Sequence, residues 1–224
     1  MNNSFATCFK FPFERFGSLV GLFATFGALV WLAPLLVSQI IQFIVALIVA
    51  LILAVAQVDG DAISIIAQII GGLVGGLAYI PTMPFYPAFF RCLDMETQGQ
   101  SAPVSQLFAW RGLVGPSIVA GLLAGVILIA GYVLCVVPGL LLLPISVMPY
   151  YFVARGDSGT AAISKSFTVL MQQPMTILYV WGFISIMFIG ILACCIGVIV
   201  TLPMYLAAVY LMMRGINVEQ QRYA

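Results

Sequence analysis

The sequence predicts an all-α fold, a polytopic helical membrane protein of six transmembrane helices arranged as three hairpins with interfacial amphipathic elbow helices. Three observations carry that prediction. Of the 224 residues, 63% are hydrophobic and 7% are charged, against roughly 25% charged in a soluble domain. The uncharged runs are numerous enough for several spans of roughly 20 residues each. Finally, the eight basic residues fall in only four places: Lys10 with Arg15, Arg91 with Arg111, Arg155 with Lys165, and Arg214 with Arg222.

Residues 1–224 read as a single transmembrane domain. Its spans are expected at 17–57, 62–90, 114–136, 140–154, 175–195 and 201–213, and its elbow helices at 101–110 and 158–173. Residues 1–16 carry Lys10, Glu14 and Arg15 among phenylalanines, a composition suited to headgroup depth. They have neither the apolar core nor the small-residue cleavage site of a signal peptide, so no processing is expected. The run 17–57 is about twice the length that one span needs. Two spans would return the chain to its starting side. One long helix, bent at Pro34 where the backbone lacks a donor, is preferred because it keeps the basic residues segregated. Beyond Pro34, Ser38, Gln39 and Gln42 face a neighbouring helix or mark the exit from the hydrocarbon.

The acidic turn Val58–Asp61 leads into the second span, where Gly71, Gly72, Gly75 and Gly76 form overlapping small-xxx-small pairs. Gly17/Gly21 and Gly121/Gly125 repeat that spacing, and all are read as close helix packing within one chain. Pro81, Pro84 and Pro87 interrupt the end of the span before Arg91. The first elbow follows, with Val104, Leu107, Phe108 and Arg111 on one short helix and Trp110 as an interface anchor. Pro138-Gly139 marks the turn between the third and fourth spans.

The fourth span ends at Arg155-Gly156-Asp157, since charges terminate a membrane run. Ser158 or Asp157 can cap the next helix. There Ile163, Phe167, Leu170 and Met171 share one face, while Ser164, Lys165, Thr168 and Gln172 lie elsewhere, as in a helix lying in the interface plane. Pro174 closes it. The last two spans follow, joined by a tight turn near Gly197, and a polar tail runs from Gly215.

The loops near Asp59, Pro138 and Gly197 contain no Lys or Arg. The positive-inside rule then places both termini in the cytoplasm. An internal repeat accompanies this segregation. Pro81, Pro144 and Pro203 precede Arg91, Arg155 and Arg214 by ten, eleven and eleven residues, and Met83-Pro84-Phe85 parallels Met148-Pro149-Tyr150. The implied unit is an elbow plus a helical hairpin, used three times.

The chemistry-bearing residues are few. Histidine is absent and the five cysteines, Cys8, Cys92, Cys135, Cys194 and Cys195, form no CxxC pair. No metal site, cofactor site or catalytic group is therefore assigned. Asp59 and Asp61 read as solvated carboxylates. No carboxylate falls inside a span, which argues against ion coupling. No basic cluster supports nucleic-acid binding. Arg91, Arg111, Arg155 and Lys165 are the candidate contacts to lipid headgroups. Tyr79, Tyr86, Tyr150 and Tyr151 read first as packing or interface anchors, and second as the lining of a groove.

Around the second elbow the chain resembles a broad group of uncharacterised bacterial six-span membrane-protein families. These are related to the membrane domain attached to some glycerophosphoryl diester phosphodiesterases. The resemblance covers mainly residues 110–214 and rests on Pro138-Gly139, Pro149, Asp157, Ala162, Ser166 and Pro174. It implies a multi-pass protein of the bacterial inner membrane. It does not imply phosphodiesterase activity, because that chemistry belongs to a separate soluble barrel. The functional reading is a non-catalytic scaffold, assembly factor or accessory subunit whose partners are membrane lipids and a membrane protein. A protein that binds or transports a lipid or small apolar molecule is the second reading.

Overall fold

The computed structural model describes residues 5–56, 65, 68, 70–72, 76–192 and 197–223. Among them every regular element is helical, so the all-α class holds. The turn at 58–61, Gly75 and the Cys194-Cys195 pair lie outside the described residues. The helices are α1 (Phe5–Glu14), α2 (Phe16–Gly27), α3 (Ala33–Ala56), α4 (Phe85–Thr97), α5 (Val114–Leu134), α6 (Val136–Leu141), α7 (Met148–Ala154), α8 (Gly159–Gln172), α9 (Met175–Leu192) and α10 (Val198–Tyr223).

Three stretches among the described residues are long and apolar enough to cross a membrane: Leu19–Leu51, Val114–Leu134 and Val198–Ile216. A fourth arises if α8 and the start of α9, which meet at 106°, form one broken span. The first stretch has 33 residues. At 1.5 Å per residue it is about 50 Å long, well beyond the ~30 Å hydrocarbon core. A π-helical turn at Ala28–Leu32 joins α2 to α3. It comes just before Pro34, whose ring crowds the carbonyl four residues back and whose nitrogen donates nothing. Widening the preceding turn relieves that clash. The irregularity expected at Pro34 is thus taken up one turn earlier.

The expected fourth span, 140–154, is a composite. Cys135 is extended and separates α5 from α6. A 3-10 turn at Leu143–Ser146 follows, and then α7, with Pro149 in its first turn, a position that wastes no helical donor. Every residue from Val147 to Val153 is buried.

The described chain forms two compact units, Met1–Gly27 with Met83–Ala224, and Ala28–Thr82. In the second unit α3 exposes Ile40, Phe43, Leu47 and Leu51, and Gly71 lies against the Gln42 side chain. In the first, α10 is the inner helix. It packs against α1, α2, α4, α7 and α9, while α7 also packs against α4, α5 and α8. Burial separates these helices sharply: 67% of the most apolar window of α10 is inside, against 22% for α5.

The helix at 158–173 starts at the expected place. Ser158 is extended, and its Oγ accepts the Ala161 N–H at 3.4 Å. Gly156 has φ 99°, a left-handed conformation that costs a residue with a Cβ about 1–2 kcal/mol. Gly156→Ala should therefore lower stability by about that amount, read as a shift in the thermal midpoint of the purified chain. An unchanged midpoint would remove the left-handed turn from the account.

The buried face of α8 differs from the expected one. Ile163 and Leu170 are buried as expected and are joined by Ala162, Ser166 and Val169, while Phe167 is half-buried and Met171 is 80% exposed. At about 100° per residue, the buried arc centres near Ser166 rather than Phe167, because α5 and α7 both cover that side. Ser166 fits there by donating to the Ala162 carbonyl at 2.7 Å. The first elbow is shorter than expected, a 3-10 helix at Val104–Phe108 with Arg111 in the following turn.

Candidate functional site

The middle of α4, the C-terminal end of α7 and the middle of α10 meet at a small cleft. Phe90, Arg91 and Asp94 of α4 line one side; Tyr151, Ala154 and Arg155 line a second; Tyr210 closes the third. Its free volume is about 30 Å³, room for a water or two. The helices position each group for a local reason. Ala154 ends α7, so its carbonyl has no intrahelical partner. Arg91 Nε supplies one, donating at 2.9 Å. Arg155 folds back one turn, with its guanidinium 4.6 Å from the centroid of the Tyr151 ring, within cation–π reach.

Asp94 lies one turn after Arg91. The Tyr210 hydroxyl donates to Asp94 Oδ1 at 2.6 Å, and Gln98 Nε2 donates to Oδ2 at 3.0 Å. The Thr97 hydroxyl stands 3.2 Å from the Tyr210 oxygen. Phe90, Tyr151 and Tyr210 form an aromatic wall behind these polar groups, with ring centroids 5.9–6.2 Å apart. Arg15 reaches Glu96 at 3.8 Å on the next turn of α4.

The four predicted headgroup contacts fall into separate places. Arg91 and Arg155 share the cleft. Lys165 instead holds both Asp157 oxygens at 2.6 and 2.7 Å, so Asp157 serves as a partner for Lys165 while Ser158 does the capping. Arg111 is exposed in its own turn beside Gly112, whose φ is 80°. With Lys165 54% exposed, its ion pair is a surface one, contributing about 0.2–1 kcal/mol. Lys165→Met is expected to move the thermal midpoint slightly at low salt and not at all in molar salt; a large, salt-independent shift would contradict a surface pair.

Of the four tyrosines read first as packing and second as groove lining, Tyr86 and Tyr150 stack on each other at 4.9 Å and 18°, and Tyr150 is buried. They pack as core. Tyr79 belongs to the other unit. Tyr210 and Asp94 were not singled out from the sequence, although a signal exists: Tyr151 and Tyr210 both stand four residues before their repeat arginine.

No family model, curated protein or solved structure matches the chain.

Among the described residues no three His, Cys, Asp or Glu side chains are grouped so as to hold a metal ion. The described thiols divide by environment. Cys8 and Cys92 are buried, and desolvation pushes both up to about 11; Cys135 is exposed.

Proposed function

We propose that the chain is a non-catalytic scaffold, assembly factor or accessory subunit of the bacterial inner membrane, a six-span protein with both termini in the cytoplasm. The observation that carries this reading is how the polar side chains at the helix ends are used. Asp94 is held by Tyr210 and Gln98, Asp157 by Lys165, and Arg91 reaches across to the end of α7. These groups brace helices against one another. A reaction centre needs a base or nucleophile presented to a substrate-sized space, and the cleft beside Asp94 is about 30 Å³. The sequence resemblance of residues 110–214 to the membrane domain of glycerophosphoryl diester phosphodiesterases supports the same reading, as that domain is distinct from the catalytic barrel.

Native mass spectrometry of the chain extracted with its surrounding membrane tests the proposal. A retained stoichiometric protein partner is the expected result; a chain released without one would overturn the scaffold reading.

Orientation has its own test. Burial shields Cys8 and Cys92 and raises both thiols, which slows thiolate chemistry, so neither reports sidedness well. In a Cys194→Ser/Cys195→Ser background, a membrane-impermeant maleimide is expected to label exposed Cys135 from the periplasmic side. Labelling of Cys135 from the cytoplasmic side only would invert the topology.

A further inference from the structure

We infer that Arg91 and Arg155 together form a binding site for one phosphate group at the mouth of the cleft that α4, α7 and α10 line. The two residues are 64 positions apart in the chain (155 − 91) and come from equivalent places in the internal repeat, yet they line the same cleft. Arg91 uses Nε on Ala154, which fixes the plane of its guanidinium and leaves its terminal N–H groups for a second acceptor. Arg155 lies over the Tyr151 ring. Stacking occupies the face of a guanidinium and leaves its edge, which carries the donors. Among the described residues neither arginine takes part in an ion pair. Two pre-oriented forks of this kind match the oxygens of a phosphate.

The charge balance favours an anion. Asp94 is the carboxylate in the cleft, and both of its oxygens are engaged by Tyr210 and Gln98. Arg214, the third repeat arginine, stands four residues after Tyr210 and hence on the same face of α10. The free volume admits an oxygen or two, so the rest of the phosphate and whatever it is esterified to remain at the mouth. There Arg91 and Arg155 are exposed, so the mouth is open rather than a closed cavity. Lys165 and Arg111 make no such site: the first is taken by Asp157, and the second lacks a partner arginine in its turn.

The shared chemistry is a phosphate oxygen set, available from a lipid headgroup or from free phosphate. The test is native mass spectrometry of the full chain in detergent, titrated with phosphatidylglycerol in the presence and absence of inorganic phosphate. One lipid adduct is expected on the native chain, reduced at least fivefold in Arg155→Gln and in Arg91→Gln/Arg155→Gln. Arg111→Gln, which loses the same charge elsewhere, should leave the adduct unchanged. Substitution at Arg155 keeps its backbone N–H bond to the Phe152 carbonyl and removes only the guanidinium over Tyr151, so the single variant remains informative should the double variant misfold. Competition by millimolar phosphate would assign the site to the free anion, and its absence to the headgroup. Equal adduct in native and Arg155→Gln chains, or an equal loss in Arg111→Gln, would overturn the inference.

Discussion

Gly27→Ala is expected to be the most destabilising single methyl in the chain. A Cβ at Gly27 of α2 would overlap the carbonyl of Ile199 in the first turn of α10. Because the obstructing atoms are backbone, no rotamer change relieves the clash; the two helices must move apart. Overpacking of this kind typically costs about 1–3 kcal/mol, and the geometry here places the cost at the upper end. Gly159→Ala should behave similarly, since its Cβ would meet the Pro116 carbonyl oxygen at 2.6 Å and the Ala120 nitrogen at 2.8 Å, where α8 rests on α5. Gly21 and Gly125 provide the contrast. Nothing lies within 4 Å of a Cβ at either, so alanine there should stabilise by about 0.5–1 kcal/mol through helix propensity. Thermal unfolding of the four variants in detergent, followed by tryptophan fluorescence, distinguishes the two groups. If Gly27→Ala melts with the native chain, the close approach of α2 and α10 is wrong.

The second large effect is expected at Asp94 and Tyr210. Their 2.6 Å hydrogen bond joins α4 to α10 across 116 residues of sequence. A hydrogen bond to a charged group contributes about 1.5–3 kcal/mol, and here the pair is part-buried against Phe90 and Tyr151. Tyr210→Phe keeps the ring packing and removes the donor, so its loss should approach that range. Asp94→Asn keeps the shape and weakens the acceptor, costing less. A double-mutant cycle should return a coupling of about 1–3 kcal/mol. Additive losses would mean that Asp94 acts through Gln98 or Thr97 and that the Tyr210 bond contributes little. Arg91→Gln offers an independent check of the same junction, since it removes the bond to Ala154 without touching Asp94.

Close helix packing shows how much the pattern of small residues reveals. Spacing picked out Gly71, Gly72, Gly75 and Gly76, then Gly17/Gly21 and Gly121/Gly125. Gly75 lies outside the described residues; of the others, Gly71 lies against the Gln42 side chain and Gly121 against those of Tyr150 and Met83, while Gly72, Gly76, Gly17, Gly21 and Gly125 face open space. The closest approaches of another helix's backbone occur at Gly27 and Gly159, which belong to no such pair. A small-xxx-small pattern says that a backbone can be approached; it does not say that another helix is there. The arginine cleft was legible in part. The repeat places Arg91, Arg155 and Arg214 at equivalent points where apolar runs give way to charge; in the structure only Arg155 follows a helix end, while Arg91 and Arg214 lie within α4 and α10. That Arg91 and Arg155 line one cleft while Lys165 turns to Asp157 depends on how α4 and α7 pack and on the turn at Gly156.

Local chemistry determined the helical class, the apolar stretches, the start of α8 at Ser158 and the places where charge ends each run. These depend on hydropathy, side-chain capping and residues adjacent in sequence, all of which act within a few positions. The tertiary structure decided which apolar helix lies inside. Val114–Leu134 and Val198–Ile216 both pass as spans, yet 22% of the first window is buried and 67% of the second. The reason is the solvent: lipid tails are as apolar as leucine, so a buried helix and a lipid-facing one need no difference in hydrophobic pattern. Only side-chain shape, close backbone approach and long-range polar bonds such as Asp94–Tyr210 distinguish them, and those exist only once the chain has folded.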